Sequence, residues 1–149
     1  MEQTNGKLRS LEIFQHIKTK ISRLVEPVMQ AEGLTQLQCC VLLQVSQGYT
    51  SVGAVSERTQ MGQANTSTLC KKLEQAGYLT RARSPEDERV VVLSLTEQGI
   101  ETLTRIGKRL KEYEMMLEGL PGQTKDDILK GLAAIDWALD YLSEQTKGE

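Results

Sequence analysis

Residues 51–96 read SVGAVSERTQMGQANTSTLCKKLEQAGYLTRARSPEDERVVVLSLT, and the changes of periodicity within this stretch decide the fold. Leu79 to Arg83 and Val90 to Leu95 are short runs with strand propensity. Between them, Ser84-Pro85-Glu86-Asp87-Glu88-Arg89 offers turn formers and charges that cannot bury a core face, so the two runs predict a β-hairpin with a projecting tip. Ahead of it, Asn65 to Gln75 reads as a helix with Thr66, Leu69, Cys70 and Leu73 on its packed side. Ala64, Ser67, Thr68, Lys71, Lys72 and Gln75 are left on a small, polar, basic face. Val52 to Thr59 reads as a shorter helix capped by Thr50 or Ser51, with a turn around Gln60-Met61-Gly62 before the next.

Helix, tight turn, helix and basic hairpin together describe a winged helix-turn-helix head. A helix of this kind fits the major groove of DNA with its first turns against base edges, while a hairpin tip reaches the flanking backbone or minor groove. The run Leu73-Glu74-Gln75-Ala76-Gly77-Tyr78-Leu79-Thr80-Arg81, then Asp87-Glu88-Arg89, then Leu95-Thr96-Glu97-Gln98-Gly99 resembles the recognition-helix end, wing and post-wing segment of MarR-family (multiple antibiotic resistance regulator) transcription factors. Each piece alone is weak; their order and spacing as a set are specific.

Working outward, Leu11, Phe14, Ile17, Ile21, Leu24 and Val28 mark one stripe of a long amphipathic helix, predicted from near Leu8 towards Gln30 with Pro27 as a candidate kink. Thr35 caps a second helix in which Leu37, Val41, Leu42 and Val45 face inward, ending near Gly48. After the hairpin, Thr96 caps a third long helix carrying Ile100, Leu103, Ile106, Leu110, Tyr113 and Leu117, which stops at Gly119-Leu120-Pro121-Gly122. Thr124-Lys125-Asp126-Asp127 signals the start of a last helix striped by Ile128, Leu132, Ile135, Leu139 and Leu142. The fold expected is mainly α with a small β-hairpin wing. In this reading 1–149 is a single MarR-like domain, 35–96 is its DNA-binding head, and the helices over 8–31 and 100–146 form the dimerisation region. The first and last helices either complete the monomer's own core or pair across a two-fold axis. The resemblance implies the second, a homodimer presenting two recognition helices to a roughly palindromic operator.

For the site, Asn65, Ser67 and Thr68 are expected at base edges, where short polar side chains bond bases or meet a thymine methyl. Ser51, Arg58, Gln63, Lys71 and Lys72 are expected at phosphates, supplying register and the salt-dependent share of affinity. In the wing, the resemblance implies that Asp87 shapes the hairpin, with an arginine as a candidate partner, and that Arg89 reaches the minor groove or a phosphate; Arg81 and Arg83 are alternatives. Solvated helix surface and a soluble charged turn are the competing readings of these residues.

Composition bounds the alternatives. A net charge of −2 on 149 residues argues against a nonspecific polyanion binder, although a locally basic face can bind DNA on an acidic protein, and any such excess must come from arrangement in space. Within the head, Arg58, Lys71, Lys72, Arg81, Arg83 and Arg89 are offset by Glu57, Glu74, Glu86, Asp87 and Glu88. No apolar run approaches a membrane span and no secretory leader is legible, so the cytoplasm is the expected compartment. Cys39, Cys40 and Cys70 form no disulfide framework. The vicinal pair Cys39-Cys40 is a candidate oxidant sensor against a plain apolar filler, and Cys70 reads as core. His16 is the only histidine, and no metal or cofactor is called for. The family often binds planar, anionic or phenolic compounds between the dimerisation helices and the head, which makes a small-molecule effector the other route of control. No nucleotide loop, nucleophile elbow or catalytic histidine pair appears, so catalysis is not expected. The function expected is a DNA-binding transcriptional regulator, a repressor by the habit of the family. The rival is a winged-helix protein-interaction module.

Overall fold

The computed structural model describes residues 2–87 and 89–146; the side chains of Leu11 and Leu142, and Glu88 of the wing, lie outside what it describes. The element order is α1 (Glu2–Gln30), α2 (Gln36–Ser46), α3 (Val52–Thr59), α4 (Gln63–Gln75), β1 (Leu79–Arg83), β2 (Val91–Leu95), α5 (Glu97–Glu118) and α6 (Gly122–Thr146). It forms two compact units, Met1–Leu110 and Lys111–Glu149.

Capping chemistry sets the element boundaries in the head. Thr35 closes a capping box, its hydroxyl accepting from the Gln38 N–H while the Gln38 side chain accepts from the Thr35 N–H. Ser51 caps α3 by accepting from the Ala54 N–H at 3.1 Å. β1 and β2 pair antiparallel with Leu79 opposite Leu95 and Arg83 opposite Val91, and the Leu93 N–H also donates to the Thr50 carbonyl at 2.7 Å. That bond ties the middle of β2 to the entry of α3.

The core of the head is small and apolar. Val41, Leu42, Val55, Cys70, Leu73 and Leu93 are fully buried, joined by Leu34 and Leu79. Each large side chain removed from water contributes on the order of 1.5–3 kcal/mol. Thr66 is buried with them and satisfies its hydroxyl by donating to the Gly62 carbonyl at 2.9 Å.

The junction after the recognition helix shows why its sequence is so specific. α4 ends as the Tyr78 N–H turns back to the Leu73 carbonyl, with Gly77 at a φ of +82°, a conformation open to glycine at little cost. The Thr96 hydroxyl donates to the Gly77 carbonyl at 2.6 Å and accepts from the Gly99 N–H at 3.0 Å, while the Thr96 N–H donates to the Tyr78 carbonyl. α5 therefore starts directly against the Tyr78 backbone. A Cβ at position 99 would run into the Tyr78 carbonyl oxygen, which leaves room only for glycine.

Several expectations need correction at their edges. α1 begins at Glu2 rather than near Leu8, and α4 at Gln63 rather than Asn65, because Gly62 takes the position before the first turn. The second strand begins at Val91, since the Val90 N–H and carbonyl are spent on Asp87 and Ser84 in the tip. α6 starts at Gly122, directly after Pro121, with the Lys125 N–H donating to the Pro121 carbonyl. Leu37 is 53% exposed rather than inward-facing, and the interior of α2 is filled by Cys39 with Val41, Leu42 and Val45.

Candidate nucleic-acid interface

The first turns of α4 carry the expected base-reading residues outward. Asn65 and Thr68 are exposed and Ser67 is half-buried, while Thr66 and Cys70 on the opposite side anchor the helix. Two of the three also donate to a backbone carbonyl four residues back, Asn65 to the turn before the helix and Thr68 within it. Asn65 Nδ2 donates to the Met61 carbonyl at 3.2 Å and the Thr68 hydroxyl donates to the Ala64 carbonyl at 3.0 Å. Thr68 thus presents a methyl and acceptor lone pairs outward, and Asn65 its amide oxygen; these groups suit a thymine methyl and base amino donors.

Around this helix the polar partners separate by role. Lys71 and Lys72 are exposed on the next turn. Gln63 extends to the start of α3, where its Nε2 lies 3.7 Å from the site of a Cβ on Gly53, beside the Ser51 cap. Ser51 is therefore a capping residue first, with its hydroxyl accepting from the helix it begins. The Arg58 guanidinium lies over the Tyr49 ring, 5.1 Å from its centroid, and its Nε donates to Gln44 Oε1 at 3.4 Å. Tyr49 and Gln44 hold this arginine; sequence reading missed both, since neither falls in a motif.

The wing separates its arginines. Arg83 and Arg89 are exposed, whereas the Arg81 side chain is only 17% exposed and reaches back to Glu74 of α4, with Nη1 to Oε2 at 3.7 Å. Its place in β1 opposite the buried Leu93 explains the difference. Asp87 folds the tip: its carboxylate accepts from the Arg89 N–H at 2.9 Å and its carbonyl from the Val90 N–H at 2.9 Å. Glu74 and Arg81 thus cancel each other within the head, while Asp87 keeps its charge at the exposed tip.

The cysteines do not gather into a reactive centre. Cys39 is buried and Cys40 half-buried on α2, and Cys70 is fully buried on the packed side of α4; all three are free thiols. Burial pushes the Cys39 thiol up to about 11, with Cys40 beside it adding to the shift, and burial raises Cys40 and Cys70 as well, against a lowering pull on Cys70 from Arg81. The thiolate that an oxidant attacks is disfavoured at each. Among the described residues no group of three or more potential metal ligands converges, and no helix is long and apolar enough to cross a membrane.

This architecture has many counterparts. A family model described as transcriptional regulator SarA/Rot matches residues 23–106. The organic hydroperoxide resistance transcriptional regulator of Bacillus subtilis is 26% identical over 127 residues, covering 85% of this chain and 84% of that protein. The crystal structure of a MarR family transcription regulator superposes with a TM-score of 0.80 at 20% identity, covering 96% of each chain. The transcriptional repressor CouR, solved bound to a 23-mer DNA duplex, superposes with a TM-score of 0.72 at 26% identity over 83% of this chain and 89% of its own. With more than half of the chain matched by that model, the chain belongs to the SarA/Rot family of transcriptional regulators, and its fold is that of the MarR family structure it superposes on.

Proposed function

We propose that the protein acts in the cytoplasm as a homodimeric repressor, binding a roughly palindromic operator through α4 and the wing and leaving it when a small molecule binds. The observation that carries the DNA reading is the orientation of α4. It buries Thr66, Cys70 and Leu73 and turns Asn65, Thr68, Lys71 and Lys72 outward from its first turns onward, with the Arg89 wing tip on the same head. Asn65, Ser67 and Thr68 read bases. Gln63, Lys71 and Lys72 hold phosphates, with Ser51 at the α3 N-terminus and Arg58 on its Tyr49 platform as flanking positions. Arg89 and Arg83 are the wing contacts, while Asp87 shapes the tip and Arg81 fixes the wing against α4.

CouR, solved on DNA, supports the reading by analogy of fold. The raised thiol values favour a ligand over an oxidant as the signal. The exposed apolar stripes of α1 and α6 favour a dimer.

The test is fluorescence anisotropy with a labelled duplex from the DNA upstream of the protein's own coding sequence, against a scrambled duplex, over a range of salt. Sequence-selective binding that falls steeply with salt is expected. Arg89→Ala should weaken it and reduce the log–log salt slope by about one, with the melting temperature unchanged. Salt-insensitive binding, or none at low salt, would hand the surface to a protein partner instead.

A further inference from the structure

A cavity of about 570 Å³ lies within the Met1–Leu110 unit, walled by α2 and α5, with Met29 of α1 and Leu95 of β2 completing its lining. Its size falls among small-molecule sites, which span roughly 300–1,000 Å³. Leu43 and Ile100 are 44% and 54% exposed and leave it open to solvent. The walls are apolar side chains, with the two thiols of Cys39 and Cys40 among them.

The polar content is small and already committed. Among the described residues no Lys, Arg, His, Asp or Glu lines the cavity. Its two hydroxyl groups spend their protons on the backbone: Ser46 donates to the Leu43 carbonyl at 2.7 Å and Thr104 to the Ile100 carbonyl at 2.8 Å. Arg105, on the same stretch of α5, is held by Glu32 at 2.9 Å and by the Thr102 hydroxyl at 2.9 Å, and it does not line the cavity. Burial keeps both thiols protonated at neutral pH, so they add no charge. A carboxylate or phenolate packed against these walls would give up part of its hydration and find neither a cation nor a free strong donor among the described residues in exchange, a penalty that disfavours it against a neutral molecule of the same shape. A neutral hydroxyl would meet acceptor lone pairs on Ser46 and Thr104.

We infer that this cavity binds an uncharged, largely apolar small molecule and discriminates against anionic ones. Its consequence for DNA rests on the effector reading above. An occupant would touch α2, which packs on α3, α4 and β2, and so would press on the elements that aim the recognition helix.

Gly107 supplies the test. It lines the cavity, and a Cβ built there meets nothing within 4 Å, so a larger side chain enters the void without a clash at its base. The full chain is titrated with N-phenyl-1-naphthylamine and with 1-anilinonaphthalene-8-sulfonate, which share an aromatic skeleton and differ by one sulfonate. The neutral probe should bind saturably and at least tenfold more tightly. Gly107→Leu should weaken it tenfold or more with unchanged circular dichroism. Thr104→Lys, at an exposed helical position, should narrow or invert the preference by supplying the missing cation. Equal or tighter binding of the sulfonate to the native protein would overturn the inference, as would a neutral-probe affinity indifferent to both substitutions. Operator affinity is read in parallel: cavity binding that leaves it unchanged would sink the effector reading while the ligand class stands.

Discussion

Arg58 and Arg81 carry the same charge within one head, yet their surroundings give them different work. Arg58 lies over the Tyr49 ring and is exposed, whereas Arg81 is drawn in to Glu74, and among the described residues its buried Nε–H has no acceptor. Sequence reading could not separate them, because spacing places a residue on an element but does not say what its neighbour will claim. The same limit applies to Cys39 and Cys40. Adjacent in sequence, they suggest a redox pair, but desolvation raises both thiols. The Cys39 value gives a pH prediction. Its thiol rises from an ordinary 9.0 to about 11 in the folded chain, so below pH 9 both states are protonated and stability is complete. Between about 9 and 11 the unfolded chain loses the proton first, and stability should fall with rising pH by at most roughly 2–3 kcal/mol. Urea titrations across that window should show the slope in the native protein and a flatter one in Cys39→Ala; equal slopes would assign the alkaline loss to other groups.

At the scale of elements, the most informative segment is the contact of α5 with the end of α4. Leu95-Thr96-Glu97-Gln98-Gly99 was legible as a motif, and the structure gives its reason: Thr96 bonds Gly77, Tyr78 and Gly99 at once, and α5 touches the Tyr78 backbone at the one residue without a Cβ. Gly99→Ala should therefore destabilise the protein by roughly 1–3 kcal/mol or more, although alanine is the better helix former. Thermal unfolding checks it, and an unchanged or raised melting temperature would show that α5 can slide off Tyr78 at no cost. The strands, the turn before α4 and the packed side of α4 were equally legible, because turn chemistry and helical period are local. The starts of α4 and α6 were not, since each depends on which residue takes the position before the first turn. The 570 Å³ cavity was invisible as well: it is bounded by side chains from α1, α2, β2 and α5 that no sequence spacing links.

At the scale of the whole molecule, the question is what covers the long helices. Phe14, Ile17, Ile21 and Leu24 of α1 are 39–55% exposed, and on α6 Leu132, Trp137, Leu139 and Tyr141 are 51–68% exposed, with Trp137 and Tyr141 stacked at 5.7 Å. The stripes were readable from the sequence, but a period of three and four does not say whether the partner belongs to the same chain. Exposed apolar runs on two helices exceed what an isolated chain ordinarily leaves in water, and a second copy would bury them. Two half-sites bound together also gain from linkage, since the second head docks at high effective concentration. Ile17→Glu with Leu24→Glu should then convert a dimer to a monomer in analytical ultracentrifugation. The same change should lower affinity for a full operator by two orders of magnitude or more while leaving binding to an isolated half-site within a few-fold. If the double variant stays dimeric, α1 is not the seam; if the native chain sediments as a monomer and binds the full operator no better than a half-site, the two-fold reading fails.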